Sequence, residues 1–303
     1  MFYADAHCDT LYALAVDRKP PQILDITVDG LKKMGAYLQT FAMFAGAGGP
    51  AGEPYRHVMD ALQCSYKLGI PIYRGAMPEL PPMDAHGVLA IEGGEALEGS
   101  LERLEEFADE GVRMITLTWN YENEIGTAAV VSSEGGIKEF GRRLIGRMNE
   151  RGVLCDVSHL NEAGFWDVMD LTALPPVASH SCVRELCNHR RNLWRDQVRA
   201  IIDRQGFIGV NFYPHFLHEG NPANVNVDTV AEHIDELVQM GAIDSVGLGS
   251  DFDGIEVRPI GLDSPADVPA IFEALRKRGY DDEALFKIAG LNYYRVLSGT
   301  LEE

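Results

Sequence analysis

Positive charge is scarce in this sequence. Lysine and arginine number 26 against 46 aspartates and glutamates, a formal net charge of −20 over 303 residues. Nucleic acids and anionic membrane surfaces are bound through clustered Lys and Arg, so the balance speaks against both as partners. It leaves room for a small anionic substrate, because a local basic pocket can sit inside an acidic shell. Long apolar runs are also missing, and none approaches the roughly 20 residues that span a bilayer. The opening Met-Phe-Tyr-Ala-Asp-Ala-His lacks the basic stretch, apolar stretch and small-residue cleavage site of a secretory signal. Five cysteines (Cys8, Cys64, Cys155, Cys182 and Cys187) form an odd set without CxxC or zinc-ribbon spacing. Reduced thiols in a cytoplasmic protein are therefore the expectation. No low-complexity block, linker or fixed-period repeat divides the chain, and residues 1–303 read as a single domain.

What is present is a series of short apolar runs separated by helical patterns, with 46% hydrophobic residues to fill a core. Strands are expected at Phe2–His7, Ala36–Phe44, Gly87–Glu92, Val112–Trp119, Gly152–Ser158, Pro176–His180, Phe207–Tyr213 and Ser245–Asp251. Amphipathic helical segments are expected at Leu97–Glu110, Ile137–Arg151, Val183–Gln205 and Thr229–Gly241, and loops at Ala45–Pro54 and Tyr73–Pro82. Strands alternating with helices imply βαβ units and a parallel sheet. Eight of them fit a closed (β/α)8, TIM-like barrel, whose active sites lie at the C-terminal ends of the strands. An open doubly wound sheet is the alternative, but no Gly-rich phosphate fingerprint follows the first strand.

Polar residues fall where a barrel would put a site. His7 and Asp9 close the first strand, Glu92 the third, His159 the fifth, His180 the sixth and Asp251 the eighth. Residues i and i+2 of a strand share a face, so His7 and Asp9 can grip one ion from the same side. Imidazole with carboxylate suits zinc or a related divalent ion. Each piece alone is common: a strand-end histidine usually serves structure, and Glu92 could cap a helix. The joint pattern is what points to a metal site.

These residues also carry a likeness to a known family. Asp-Ala-His-Cys-Asp at 5–9, Glu-Gly-Gly at 92–94, Asp-Val-Ser-His at 156–159 and Ser-His-Ser at 179–181 resemble the membrane (renal) dipeptidase family. So do Arg-Arg-Asn at 190–192, Gly-Ser-Asp-Phe-Asp-Gly at 249–254 and the tail Gly-Leu-Asn-Tyr-Tyr-Arg-Val-Leu. The resemblance runs through nearly the whole chain in order. It implies a zinc-dependent dipeptidase acting on small dipeptides, including ones with a D-residue at the carboxyl end, and a homodimer as one oligomeric state. By position, His7 and Asp9 would hold one zinc, His159 and His180 a second, and Glu92 would bridge the two around a shared hydroxide. Arg191 would receive the substrate's terminal carboxylate, and Asp251 would act near the substrate's amine as general acid–base. Tyr213 would line the pocket.

One position departs from the family. The fourth strand commonly ends in Leu-Thr-His, and here Leu-Thr-Trp-Asn puts Trp119 in place of a histidine thought to steady the oxyanion. Indole donates one hydrogen bond and carries no charge, so Asn120 becomes a substitute candidate. Asp5 and Asp156 read as supports for the ligands and Asp253 as a loop holder. His57, His86, His189, His215, His218 and His233 read as structural or surface residues, and Arg184, Arg190 and Arg195 as a solvated helical face. Two other functions compete: a related amidohydrolase for another amide or a lactone, and a metal-holding barrel with weak catalysis.

Overall fold

A computed structural model describes residues 1–299. Eight parallel strands close on themselves in sequence order: β1 (Tyr3–Asp5), β2 (Tyr37–Phe44), β3 (Ala85–Glu92), β4 (Val112–Thr116), β5 (Leu154–Asp156), β6 (Val177–Ala178), β7 (Phe207–Val210) and β8 (Val246–Leu248). Around them run α1 (Thr10–Ala15), α2 (Val28–Met34), α3 (Glu53–Ser65), α4 (Leu101–Asp109), α5 (Glu139–Arg151), α6 (Glu162–Leu171), α7 (Arg195–Asp203), α8 (Pro214–Leu217), α9 (Val227–Gln239), α10 (Pro269–Lys277), α11 (Asp282–Phe286) and α12 (Asn292–Ser298). This is the expected (β/α)8 barrel. Among the described residues no helix is long and apolar enough to cross a membrane.

Strand alternation divides the core in two. Tyr37, Phe41 and Met43 of β2 and Leu89 and Ile91 of β3 point outward into the cluster shared with the helices. Leu38, Val88, Ala90, Met114, Leu154, Val177 and Phe207 fill the barrel interior. Glu92 continues the inward parity of Val88 and Ala90, which is why a carboxylate emerges inside the barrel mouth. The floor is closed by α12, where the Tyr293 hydroxyl meets Thr40 Oγ1 at 2.7 Å. The wall of β6 to β8 is drawn in by small residues. A Cβ on Gly209 or Gly249 would lie about 2 Å from the Ser179 carbonyl oxygen, so only glycine fits at either point.

The strands end sooner than the apolar runs suggest. His7, Trp119, His159, His180, Tyr213 and Asp251 all lie two or three residues past the ladder. There the backbone amides turn from the neighbouring strand to side chains. Asp156 accepts from the amides of Ser158 and Ser179, each at 2.9 Å. Asp5 accepts from the amides of His7 at 3.2 Å and Ser250 at 2.9 Å. These carboxylates span the seams where the ladder is shortest, with Asp156 registered against Val177 and Asp5 against Leu248.

One helix expectation is corrected. Of the segment Val183–Gln205, the described helix is α7 at Arg195–Asp203, and residues 183–194 form an ordered loop. The loop satisfies its own backbone: Leu193 N donates to Cys182 O, Arg184 N to Leu193 O, and the Asn192 amide group to the carbonyls of Cys187 and Phe216. Charge spacing alone cannot distinguish such a loop from a helix face. The segments expected at 97–110, 137–151 and 229–241 hold α4, α5 and α9. The first opens with a 3₁₀ turn at Gly94–Leu97, and α4 is capped by the Ser100 side chain.

Candidate metal centre and substrate cavity

Asp9 is the residue that caps α1, yet its side chain makes no capping bond and is left free to face the barrel axis. His159 and Asp251 both adopt left-handed backbone conformations, φ 67° and 64°. Non-glycine residues in that region are strained, and such strain gathers at functional sites. The turns swing His159 and Asp251 inward toward Glu92 and His7. All of these groups are buried except Asp251, which is partly so.

His7 Nε2 lies 3.4 Å from Asp9 Oδ2, 3.6 Å from Glu92 Oε2 and 3.9 Å from Asp251 Oδ1. Neither ring nitrogen of His7 has a hydrogen-bond partner. On the other side, Glu92 Oε1 is 3.1 Å from His159 Nε2 and 3.5 Å from His180 Nε2, and those two nitrogens are 2.9 Å apart. Two donors about 2.1 Å from one tetrahedral ion stand roughly 3.4 Å from each other. The spacing is one that a metal ion's ligands can take.

The proton inventory agrees. The Ser179 hydroxyl donates its one hydrogen to Asp156 Oδ2 at 2.5 Å, so toward His180 Nδ1 at 2.7 Å it accepts. His180 therefore carries its hydrogen on Nδ1. His159 Nδ1 faces Asn120 Oδ1 at 2.9 Å, which assigns it the same tautomer. Two Nε2 lone pairs then point at one another and at a carboxylate, an arrangement that a divalent cation satisfies. Burial, followed by the nearby Arg191 cation, depresses His159 to about 4. Burial and the His7 charge hold His180 well below the usual histidine range. Both imidazoles are thus neutral and ready to ligate. Burial pushes Glu92 up, but the imidazoles of His7 and His159 overcome it and hold the carboxyl low. Asp251 is raised well above the carboxylate range, first by burial and then by Asp9 and Glu92. Among the described residues, two groups of three donors lie close enough to share an ion: His7 with Glu92 and His180, and His7 with Asp9 and Asp251.

Above the centre opens a cavity of about 410 Å³. Arg191, Trp119, Asn120 and Tyr213 all border it, as do Tyr12, Phe44 and Phe216. Arg191 is buried, gives Nη2 to the His180 carbonyl at 3.3 Å, and stands over the Phe216 ring. Its Nε has no partner, and among the described residues it makes no ion pair. Trp119 packs on Phe44, Tyr121 and His159 with centroids 4.9, 5.6 and 6.1 Å apart. Asp253 holds a loop, as expected: Thr10 Oγ1 donates to it at 2.6 Å and Asp25 N at 2.7 Å.

Sequence reasoning misses Asn211, whose amide nitrogen grips Asp251 Oδ2 at 2.9 Å. The available signal is a polar side chain directly after the buried run of β7. It also misses Phe44 at the end of β2, Tyr12 in α1 and Phe216 in α8, because an aromatic residue in such places looks like ordinary packing. His233 is structural, its two nitrogens bonded to Val183 N at 3.1 Å and Leu217 O at 2.9 Å.

Fold and donor set together define a barrel of the metal-binding class. The family model of membrane dipeptidase, peptidase family M19, matches residues 84–302, and the chain belongs to that family. A Klebsiella pneumoniae protein described only by its place in the pqqA 5′ region is 37% identical over 224 residues, covering 71% of this chain and 82% of that one. An uncharacterized dipeptidase of Schizosaccharomyces pombe is 35% identical over 216 residues. That match covers 70% of this chain and 53% of the yeast protein, so this chain spans about half the length of that relative. Among solved structures, a metallopeptidase from Rhodobacter sphaeroides, liganded with a phosphinate mimic of L-Ala-D-Ala, superimposes with a TM-score of 0.87. The two are 25% identical, and 99% of each chain is covered. The metallopeptidase dipeptidase AC also gives 0.87, at 26% identity and 98% coverage of each chain.

Proposed function

We propose that this chain is a two-zinc dipeptidase that cuts small dipeptides, including those with a D-residue at the carboxyl end. The observation that carries this reading is the meeting, in one cavity, of a cation-demanding donor cluster and a buried guanidinium without a carboxylate partner. His7 and Asp9 would hold one ion, His159 and His180 the other, and Glu92 would reach both. When bound, the ions supply Lewis acidity toward the scissile carbonyl and lower the pKa of the attacking water.

The chain's own groups do the rest. Arg191 offers a planar fork to the substrate's terminal carboxylate, which measures substrate length from that end. Asn211 occupies Asp251 Oδ2, so Oδ1 is free to take a proton and hand it to the leaving nitrogen. Asn120 and Ser179 fix the tautomers of His159 and His180. Trp119 and Tyr213 contribute aromatic wall to the substrate cavity. The dipeptide mimic held by the Rhodobacter sphaeroides relative supports both the substrate class and the D-residue. An amidase or lactonase reading is weaker, because a substrate without a carboxylate leaves Arg191 buried and unpaired. All five thiols are free and four are buried, which suits a reducing compartment, and we infer a cytoplasmic setting on that ground.

The test is metal analysis of protein purified without chelator, followed by a hydrolysis panel. Expected are close to two zinc ions per chain, with L-Ala-L-Ala and L-Ala-D-Ala cut and tripeptides and amidated dipeptides much poorer. Failure of the zinc-loaded protein to cut any dipeptide would overturn the assignment.

A further inference from the structure

The loop that carries Arg191 has a second side. Behind it lies another cavity, of about 260 Å³, bordered by Ser132, Asn161, Arg184, Arg190, Arg191 and Trp194. Three guanidinium groups meet there in a chain of net charge −20. None of the three makes an ion pair among the described residues, although Arg147 and Arg151 elsewhere share Glu105. Arg184 donates Nε to Asn188 Oδ1 at 3.1 Å and stacks on the Trp194 ring at 4.2 Å. Arg190 gives Nη1 to the Val130 carbonyl at 2.8 Å. Glu162 borders the cavity as well and acts on Arg184 through its charge, without an ion pair among the described residues.

Three further observations point the same way. Arg191, 5% exposed, borders this cavity as well as the substrate cavity, so its charge acts on both. The cap residues of α6 and α7, Asn161 and Trp194, border the cavity, and helix N-termini carry partial positive charge even where, as in α6, the cap side chain accepts from Gly164 N. His189, in the same loop, is held at about 4 by burial and then by Arg191, Arg190 and Arg184, so the local field is positive.

We propose that this cavity is a second anion site, which takes a carboxylate or phosphate group on the outer side of Arg191. Two sources can supply it: the acidic side chain of a substrate's second residue, or a small free anion. The first source rests on the dipeptidase reading, and the second does not.

The experiment compares the zinc-loaded parent with R184Q/R190Q, using an unchanged melting temperature as the control for folding. Calorimetric titration with sodium sulfate, against sodium chloride at equal ionic strength, should show saturable binding that weakens at least tenfold in the double variant. Absent binding, or equal binding in both proteins, overturns the proposal whatever the enzyme does. Hydrolysis then identifies the source. A preference of at least tenfold for Ala-Asp over Ala-Asn in kcat/KM, lost in the double variant while Ala-Ala is unaffected, assigns the site to the substrate's side chain. Sulfate binding with no such preference assigns it to a free anion. If no dipeptide is cut at all, the dipeptidase reading fails, and the sulfate titration still decides the anion site.

Discussion

Replacing Arg191 by methionine separates binding from stability in a way few substitutions can. The guanidinium is buried, its Nε is without a partner, and no carboxylate pairs with it among the described residues. Burial lowers its pKa to about 10, which marks a charged form that the folded chain carries at a cost near neutral pH. That cost is roughly 3 kcal/mol by the conversion of pKa to free energy. Methionine keeps much of the volume and removes the charge, so Arg191→Met should leave Tm unchanged or raise it, with no fall beyond about 2 °C. Substrate should lose one charge-assisted, two-pronged contact, worth about 1.5–3 kcal/mol, or roughly ten- to a hundredfold in kcat/KM. The assay compares a free dipeptide with its C-terminal amide in parent and variant. The parent should prefer the free acid strongly, and the variant should treat the two nearly alike. A variant that melts several degrees lower and still discriminates free from amidated dipeptide would show that Arg191 serves structure and not the carboxylate.

Glu92→Gln should reduce metal content at both sites together, read by atomic absorption, because Oε1 and Oε2 face different histidines. Retention of two ions by that variant would refute the bridge. Trp119→His should lower kcat, since it removes an indole packed against Phe44 and His159, and Asn120→Ala should lower it by freeing the His159 tautomer. A gain in Trp119→His with no effect from Asn120→Ala would contradict both roles. His233 is held at about 4 by burial, whereas an unfolded histidine titrates near about 6.5. The unfolded chain then binds the proton first, so stability is retained above about pH 6.5 and falls as pH drops toward 4. Urea melts from pH 7 to 4 should show this slope, shallower in His233→Gln, and equal slopes would exclude His233 as its source.

The eight strands are legible because each is an apolar run bounded by turn residues, and the ligand candidates are legible because they follow those runs. The geometry is less so. The convergence of His7 and Asp9 reads as strand alternation, yet β1 has ended by Asp5 and Asp9 reaches the centre from the cap of a helix. His159 and Asp251 arrive through left-handed turns, which a single non-glycine residue does not announce. Asn211 and Ser179 are hidden because their value lies in hydrogen bonds to residues distant in sequence. Arg184 and Arg190 read as a solvated face because periodicity registers charge spacing and not the carbonyls that bend a loop.

The crossing of Asp5 and Ser250 joins residues 245 apart in sequence, nearly the full length of the chain. His7 and Asp251 stand on either side of that crossing, and the Asp251 amide bonds the His7 carbonyl at 3.1 Å. A nascent or truncated chain with seven strands would contain every histidine of the centre and still be unable to present it. The contacts that close the barrel between β1 and β8 also set His7 beside Asp251, so closure of the barrel and assembly of the donor cluster are linked. Damage far below the cavity should register at that junction too. The Asn292 amide, near the barrel floor, holds the carbonyls of Ile243 and Val246 at the root of β8, and loosening it would be felt at the donor cluster.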